Sequence, residues 1–211
     1  MTQGAKLYFQ YSAVNAVDES ELSYEVAYAL AVYPDAPENL IKVDQLSTLE
    51  SVYLKWDIVA DYEVNVIGYE VWMERSRNGE FELIYDGKFY PGVNFHNVTG
   101  LVTGNSYRFK VASLNFNGRG AFTEEITLFS CLPPGDIEAP RYVSSTTTTM
   151  TLDWTMPVDM NGCPLLGFEL YMDDGTDGSP IDTLVDTFEP QISQTTITSF
   201  TVADTSKYYN F

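Results

Sequence analysis

The feature that most constrains how this chain folds is an internal repeat, in which residues about 100 positions apart follow the same pattern. The segment 1–15 matches 101–115: each has an apolar residue, a Gly three positions later, alternating large residues and a final Asn. The pattern starts a third time at Val202 and continues toward Phe211. Self-similarity at a fixed period marks a chain that uses one structural unit several times. The sequence therefore predicts an array of repeated modules.

Three further landmarks recur at nearly the same offset. The matched pairs are Leu54-Lys55-Trp56 with Leu152-Asp153-Trp154, Ile67-Gly68-Tyr69 with Leu166-Gly167-Phe168, and Ala36-Pro37 with Ala139-Pro140. Between them, large apolar residues alternate with others in 52–56, 69–73, 81–85 and 107–113, as half-buried strands require. Turn sequences separate these runs, and no stretch has a sustained helical period. The chain is therefore predicted to be all-β and built from two-sheet sandwiches.

Four of these motifs together resemble a known family. They are a Pro near the first strand, Leu-x-Trp on the second, Gly-Tyr-x-Val on the third, and Leu-x-x-Gly-x-x-Tyr-x-Phe-x-Val-x-x-x-Asn on the sixth. The sequence resembles the fibronectin type III family over nearly its whole length. The resemblance implies tandem immunoglobulin-like sandwiches with seven strands per module. It also implies that the Trp fills the core and that Tyr107 hydrogen-bonds back to the preceding turn. The fold hosts many roles, so these motifs say little about function.

The module boundaries expected from the repeat leave only one module complete. Residues 1–34 are predicted to be the last two strands (F and G) of one module, and 35–133 a complete module. Residues 134–211 are predicted to hold the first five strands and the start of the sixth of a further module. Two explanations remain open: the chain is a window on a longer covalent array, or the two N-terminal strands of one copy complete the five strands of the next. Either gives a linear string of sandwiches.

The charge of the chain limits its partners. Lys and Arg number 11 and Asp and Glu number 30, which gives a formal net charge of −19. Such a surface repels phosphate backbones and anionic lipids, so we expect no nucleic acid partner. No run of about 18 apolar residues is present, so we expect no membrane insertion. Residues 1–10 also lack the pattern of a signal peptide. The expected partners are copies of the chain, joined head to tail, or covalent array neighbours, and other surface proteins.

The two cysteines, Cys131 and Cys163, are candidates for a disulfide. The resemblance places Cys131 at the end of the last strand of the complete module. It places Cys163 in the loop between the second and third strands of the next, which lies at that module's N-terminal end. The two sulfurs are therefore expected to meet, which would imply an oxidising compartment. The alternative is two separate thiols in an intracellular protein.

Asn97-Val98-Thr99 is a candidate site for N-linked glycosylation. Its modification would require secretion of the chain, and the site lies in or beside a predicted strand. The Thr-rich run 144–149 is expected to fill a strand and its turn rather than carry sugar.

Catalysis has little support in the sequence. His96 is the only histidine, and its neighbours Phe95 and Val98 indicate a strand residue rather than a catalytic base. The acidic loop 173–178 is better explained as a hairpin turn than as a Ca²⁺ site, and Asn117-Gly118 as an ordinary turn. We therefore expect no catalytic residues, no metal and no cofactor.

The function expected from the sequence is a structural repeat protein, extracellular or at the cell surface, that forms a filament or stalk. In it, aromatic residues such as Trp72, Tyr90 and Phe122 would serve contacts between modules. The alternatives are an adhesion or ligand-binding module that uses its loops, and an accessory part of a larger enzyme. An intracellular cytoskeletal array is a further alternative.

Overall fold

The computed structural model describes residues 2, 4–60, 64–75, 79–176 and 178–197. The chain divides into two compact units, Met1–Cys131 and Leu132–Phe211. The strands of the first unit are β1 (Lys6–Phe9), β2 (Val26–Ala29), β3 (Ile41–Lys42), β4 (Ser51–Lys55), β5 (Gly68–Glu74), β6 (Glu82–Asp86), β7 (Phe95–Thr99), β8 (Ser106–Asn115), β9 (Gly118–Phe122) and β10 (Ile126–Phe129). A short 3-10 helix spans Asp44–Leu46. The second unit contains β11 (Arg141–Ser145), β12 (Met150–Asp153), β13 (Phe168–Met172), β14 (Thr183–Phe188) and β15 (Gln194–Ile197).

The first unit is a sandwich of two antiparallel sheets preceded by a hairpin. One sheet has the order β3-β4-β7, and the other has the order β10-β8-β5-β6 with β9 also paired to β8. The hairpin β1-β2 forms a separate two-stranded sheet. This arrangement confirms the predicted all-β fold. Within the described ranges, no helix is long and apolar enough to cross a membrane.

The core of the first unit lies between the two larger sheets, where alternation along the sequence predicts it. From β4 and the residue after it, Val52, Leu54 and Trp56 are fully buried. From β5 and β8 come the fully buried residues Tyr69, Val71, Met73, Phe109 and Val111. The ring centroids of Trp56 and Tyr69 are 5.7 Å apart at an interplanar angle of 59°. Burying several large side chains, at about 1.5–3 kcal/mol each, supplies the main driving force for this fold.

The predicted tyrosine corner is present. The Tyr107 hydroxyl accepts a hydrogen bond from the Val102 N–H at 2.9 Å, five residues back along the chain. The ring is buried at the start of β8, so this bond fixes the turn between β7 and β8. The expectation for Tyr107 is therefore confirmed.

The prediction that Phe81, Leu83 and Tyr85 face one side of a strand is wrong. Leu83 is 42% exposed, whereas Ile84 and Tyr85 both pack against the core. The β5–β6 register shifts between Val71 and Trp72, which indicates a β-bulge or irregularity. Because the side-chain period of a strand is 2, one extra residue reverses which side chains face inward.

Gly68 and Gly167 occupy matching positions in the repeat, and the same close backbone contact explains why both are glycine. A Cβ atom added at Gly68 would lie 2.1 Å from the Gly87 carbonyl oxygen, and one at Gly167 would lie 2.4 Å from the Phe188 carbonyl oxygen. In both units the backbone at the start of the third predicted strand packs directly on the backbone at the end of the following strand, at Gly87 just after β6 and at Phe188 in β14. Only glycine permits so close an approach.

The β1-β2 hairpin repeats the backbone pairing of β8 and β10 at an offset of 100. Leu7 pairs with Tyr28 as Tyr107 pairs with Leu128, and the rest of the ladder follows the same offset. The N–H groups of Gly4 and Gly104 donate to the carbonyls of Leu30 and Ser130 at 3.0 and 2.9 Å. The two hairpins therefore share one register, and the assignment of residues 1–34 as the F and G strands of a module stays a prediction.

The second unit has two small sheets, β11-β12-β15 and β13-β14. Trp154 is 8% exposed, and its ring centroid lies 5.8 Å from that of Phe168 and 5.0 Å from that of Phe188. Leu152 and Leu170 complete the small buried core. The predicted start of a sixth strand after Val202 lies outside the described residues.

Candidate functional site

The most specific polar arrangement in the first unit is where the chain leaves the hairpin and enters the sandwich. The Asn117 Oδ1 atom accepts a hydrogen bond from the Ala29 N–H at 2.6 Å. The Asn117 Nδ2 atom donates to the carbonyls of Ala29 and Ala31, both at 2.9 Å. One side chain thus satisfies three backbone groups that lie 86 or 88 residues earlier in the chain. We name this contact, formed by residues 29–35 against residues 113–120, the junction.

The end of β8 extends the junction toward the first residue of the complete module. The Asn115 Nδ2 atom donates to the Val32 carbonyl at 2.8 Å, and the Ser113 hydroxyl donates to the Asp35 carbonyl. Both side chains are buried. The Asn115 Oδ1 atom also accepts the Asn117 N–H at 2.9 Å, which orients the turn that carries Asn117. Buried polar groups that are paired in this way fix one geometry and are costly to separate.

Two glycines let the backbones approach at the junction. A Cβ atom added at Gly120 would lie 2.0 Å from the Pro34 carbonyl oxygen. Gly118 has a φ of +134°, which side-chain-bearing residues rarely adopt, and its added Cβ would touch the Tyr33 ring at 3.4 Å. On the hairpin side, the Lys6 ammonium lies 4.2 Å from the centroid of the Phe116 ring, a cation–π contact. The junction is therefore held by packing as well as by hydrogen bonds.

This role of Asn117 was not predicted, because Asn117-Gly118 has the sequence of an ordinary turn. The turn exists, but the Asn117 side chain points to a distant segment. One signal in the sequence was available: the final Asn of the repeated pattern, Asn15 and Asn115. The Asn15 Oδ1 atom accepts the Val17 N–H at 2.8 Å, so the same residue orients the following turn in both repeats.

A second candidate surface is the outer face of the β10-β8-β5-β6 sheet, where aromatic rings and cations alternate. Trp72 and Phe122 pack edge to face with centroids 5.9 Å apart. The Arg119 guanidinium lies 4.8 Å from the Trp72 ring. The Lys110 ammonium lies 4.6 Å from Phe122 and 3.8 Å from Phe81. We name this row of five side chains the aromatic ladder.

Glutamates neutralise the cations of the aromatic ladder. Arg119 pairs with Glu70 at 2.8 Å, and Lys110 pairs with Glu125 at 3.7 Å. The neighbouring Arg108 pairs with the buried Glu74 at 3.0 Å and also with Glu125. Trp72 and Phe122, expected to serve contacts between modules, are half-buried within this row, whereas Tyr90 is 65% exposed. The face is therefore a mixed apolar and charged surface without a large net charge.

The structure holds both Cys131 and Cys163 in disulfide-bonded form. Their expected bond to each other remains a prediction. Asn97 is exposed on β7, opposite Tyr53 of β4.

His96 also lies on β7, as predicted, and its ring stacks on Tyr85 with centroids 4.6 Å apart. Burial lowers the pKa of His96 below its usual value. For Tyr85, burial first and then the neighbouring charges of Tyr90 and Asp86 raise the pKa of the phenol.

The acidic loop after β13 forms local turns. The Asp173 carboxylate accepts the Gly175 N–H at 3.0 Å, and the Asp174 carboxylate accepts the Thr176 N–H at 2.9 Å. Such Asx turns are typical of tight loops. Asp177 lies outside the described residues. Among the residues that the structure describes, no group of three or more His, Cys, Asp or Glu side chains is placed to hold a metal ion.

Comparison with known proteins gives matches across the chain. Fibronectin type-III domain-containing protein 3a of Gallus gallus is 27% identical over 166 residues, 78% of this chain and 13% of the relative. Tyrosine-protein phosphatase Lar-like of Caenorhabditis elegans is 28% identical over 167 residues, 72% of this chain and 7% of the relative. Protein sidekick-2 of Gallus gallus is 29% identical over 147 residues, 65% of this chain and 6% of the relative. The chain spans at most 13% of the length of these relatives.

The model of the fibronectin type III domain matches residues 35–129. These residues contain the buried Trp56, the Tyr107 corner and both sheets of the complete sandwich. The sequence resemblance and the observed sandwich therefore agree, and residues 35–129 form a fibronectin type III domain.

Proposed function

We propose that this chain is a structural segment of a head-to-tail string of fibronectin type III modules that forms an extracellular stalk or filament. The observation that carries the proposal is the junction. Asn117 and Gly120 hold the segment that enters the sandwich through hydrogen bonds and close backbone packing. A linker held in this way transmits orientation from one module to the next, as a stalk requires, whereas a flexible linker rich in Gly and Ser would not.

The proposed location is the cell surface or the extracellular space. Many cell-surface domains share this sandwich architecture, and fibronectin type III domains occur in adhesion and receptor proteins. Cysteines in disulfide-bonded form agree with an oxidising compartment. The excess of acidic over basic residues suits a surface that stays hydrated in the open.

The exposed apolar face of the hairpin supports association with a further set of strands. Phe9 is 50% exposed and Tyr11 is 75% exposed, whereas Phe109 and Val111, which lie 100 positions later, are fully buried. These hairpin residues occupy the positions that face the core in the complete sandwich. A neighbouring copy of the chain, or a neighbouring module of a longer chain, would cover them by strand addition.

The test of association between copies is sedimentation velocity of the purified chain over a range of concentrations. We expect the native chain to form elongated oligomers and Phe9→Glu to remain monomeric. Tyr8→Glu is the matched control, because Tyr8 is 63% exposed on the opposite face of the same strand and should still associate. A native chain that is monomeric at every concentration contradicts association between copies. The apolar face of the hairpin would then be covered by a neighbouring module of a longer chain.

The aromatic ladder supports a second candidate, an adhesion module that binds another surface protein. Trp and Arg are enriched among the residues that dominate protein interfaces, and here Trp72 and Arg119 are in contact on an outer sheet face. The double variant Trp72→Ala Arg119→Ala should abolish capture of such a partner on a surface sensor. Retention of binding would contradict this candidate.

We also propose that this segment has no catalytic role of its own. The support is the environment of its one histidine: His96 is stacked on Tyr85 within the sandwich, and burial lowers its pKa. Hydrolase and transferase assays with the purified chain should give no turnover that depends on His96.

A further inference from the structure

Asn97 lies beside two aromatic residues, Tyr53 and Phe95, on the outer face of the β3-β4-β7 sheet. Along β7, Phe95, Asn97 and Thr99 share one face, because successive strand residues point to opposite sides and Val98 is buried. Directly across on β4, Tyr53 pairs with Asn97. The Tyr53 and Phe95 rings stack with centroids 5.5 Å apart at an interplanar angle of 11°. An exposed acceptor asparagine therefore stands beside a stacked aromatic pair.

We infer that Asn97 carries an N-linked glycan whose first N-acetylglucosamine packs against the Tyr53–Phe95 pair. Asn97-Val98-Thr99 is the only Asn-x-Ser/Thr sequence in the chain. Aromatic rings supply a flat apolar surface, and a pyranose ring presents a face of C–H groups that can cover it. Phe95 is 45% exposed, so it offers apolar area that the sugar would remove from water. The inference depends on the secretory route proposed above.

The modification is an amide glycosylation. A bond forms between the Asn97 Nδ2 atom and the anomeric carbon of the sugar. The bond between that carbon and its lipid-linked diphosphate breaks, and the diphosphate leaves with the electron pair. One amide proton is lost to the transferase. The product keeps the exposed position of Asn97, so the folded sandwich accommodates the glycan without displacing a core residue.

The position of β7 gives the glycan a structural role. In the described part of the first unit, β7 pairs only with β4 and forms the edge of its sheet. Exposed sheet edges can pair with other chains, and bulky or polar groups prevent this. In the second unit, two threonines occupy the positions that Tyr53 and Asn97 occupy in the first. There Thr151 faces Thr196, with their hydroxyls 2.9 Å apart. The aromatic pair and the acceptor thus occur together in the first unit.

The first arm of the test directs the chain into a eukaryotic secretory pathway with an added leader and measures its mass before and after peptide N-glycosidase. We expect a glycan that the enzyme removes, with Asn97 converted to Asp in the peptide spectrum. Asn97→Gln and Thr99→Ala should each lose it. A folded, secreted chain with unmodified Asn97 overturns the inference. Because the added leader supplies the route, this failure is distinct from failure of the stalk proposal.

The second arm tests the packing of the sugar with Phe95→Leu and Tyr53→Leu, which keep the acceptor sequence and apolar bulk but remove the rings. In the native glycoprotein we expect the N-acetyl methyl resonance of the first sugar to move upfield from its free position. We also expect the Tm to fall when the glycan is removed. Both effects should disappear in the double Leu variant. A glycan whose methyl resonance and effect on Tm are the same with and without the rings overturns the packing.

Discussion

The substitution Asn117→Ala tests the junction most sharply, because one side chain makes three hydrogen bonds to the incoming segment. A typical net contribution is about 0.5–1.5 kcal/mol per bond, so losing all three should weaken the docking of that segment by about 1.5–4.5 kcal/mol. The Ala29 N–H gives the most local measurement. Ala29 is buried and its N–H donates to the Asn117 Oδ1 atom, so the variant leaves a buried donor without its acceptor.

Amide hydrogen exchange measured residue by residue by NMR is the assay. An unsatisfied buried donor costs about 1–3 kcal/mol, so the protection of the Ala29 amide should fall about 5- to 150-fold. The next amide is an internal control, because the Leu30 N–H donates to the Ala5 carbonyl at 2.9 Å and should keep its protection. Asn94→Ala removes a bond to the Trp56 carbonyl elsewhere in the sandwich and should not affect Ala29. Unchanged Ala29 exchange in Asn117→Ala would refute the reasoning.

Three further predictions concern Gly120, His96 and the two cysteines. Gly120→Ala should lower stability by about 1–3 kcal/mol in a denaturant titration, because its Cβ would overlap a linker carbonyl, whereas Gly92→Ala, with nothing within 4 Å, should be nearly neutral. Because burial lowers the pKa of His96, its contribution to stability should be present above about pH 6.5 and lost as the pH falls through the folded-state pKa. The Tm of the native chain should therefore fall relative to that of His96→Phe as the pH is lowered. A Tm difference that does not depend on pH contradicts this prediction. The unreduced, unfolded protein should contain no thiol, and Cys131→Ser should release one at Cys163; continued absence of a thiol in that variant contradicts pairing of these two residues.

The sequence predicts the core of the first unit well because its alternation is strong on the central strands. Trp56, Tyr69 and Phe109 are each fully buried, and the Tyr107 corner forms as expected. These positions depend on local period and on a repeated motif, both of which are visible along the chain. The prediction failed for β6 because a shift in the β5–β6 register changes which of its side chains face the core. The alternation of residues along one strand does not show how that strand pairs with its neighbour.

The candidate sites were less predictable because they depend on contacts between distant segments. The Asn117 amide binds a segment 86 to 88 residues earlier, and local turn propensity explains its presence equally well. The aromatic ladder requires Trp72 and Phe122 to meet across strands whose pairing the sequence does not state. Asn97 was recognisable as an acceptor from three residues, but its aromatic neighbour Tyr53 follows from the β4–β7 register.

The most direct test of the stalk proposal is whether the hairpin and the sandwich of the first unit move as one rigid body in solution. Residual dipolar couplings of the amides in β1-β2 and in β4-β8, measured on the native chain in a dilute aligned medium, answer this. A fixed junction predicts that one alignment tensor fits both sets of couplings. Two different tensors, or couplings near zero for β1-β2 alone, would show that the hairpin reorients freely and would contradict a stalk built on a fixed junction.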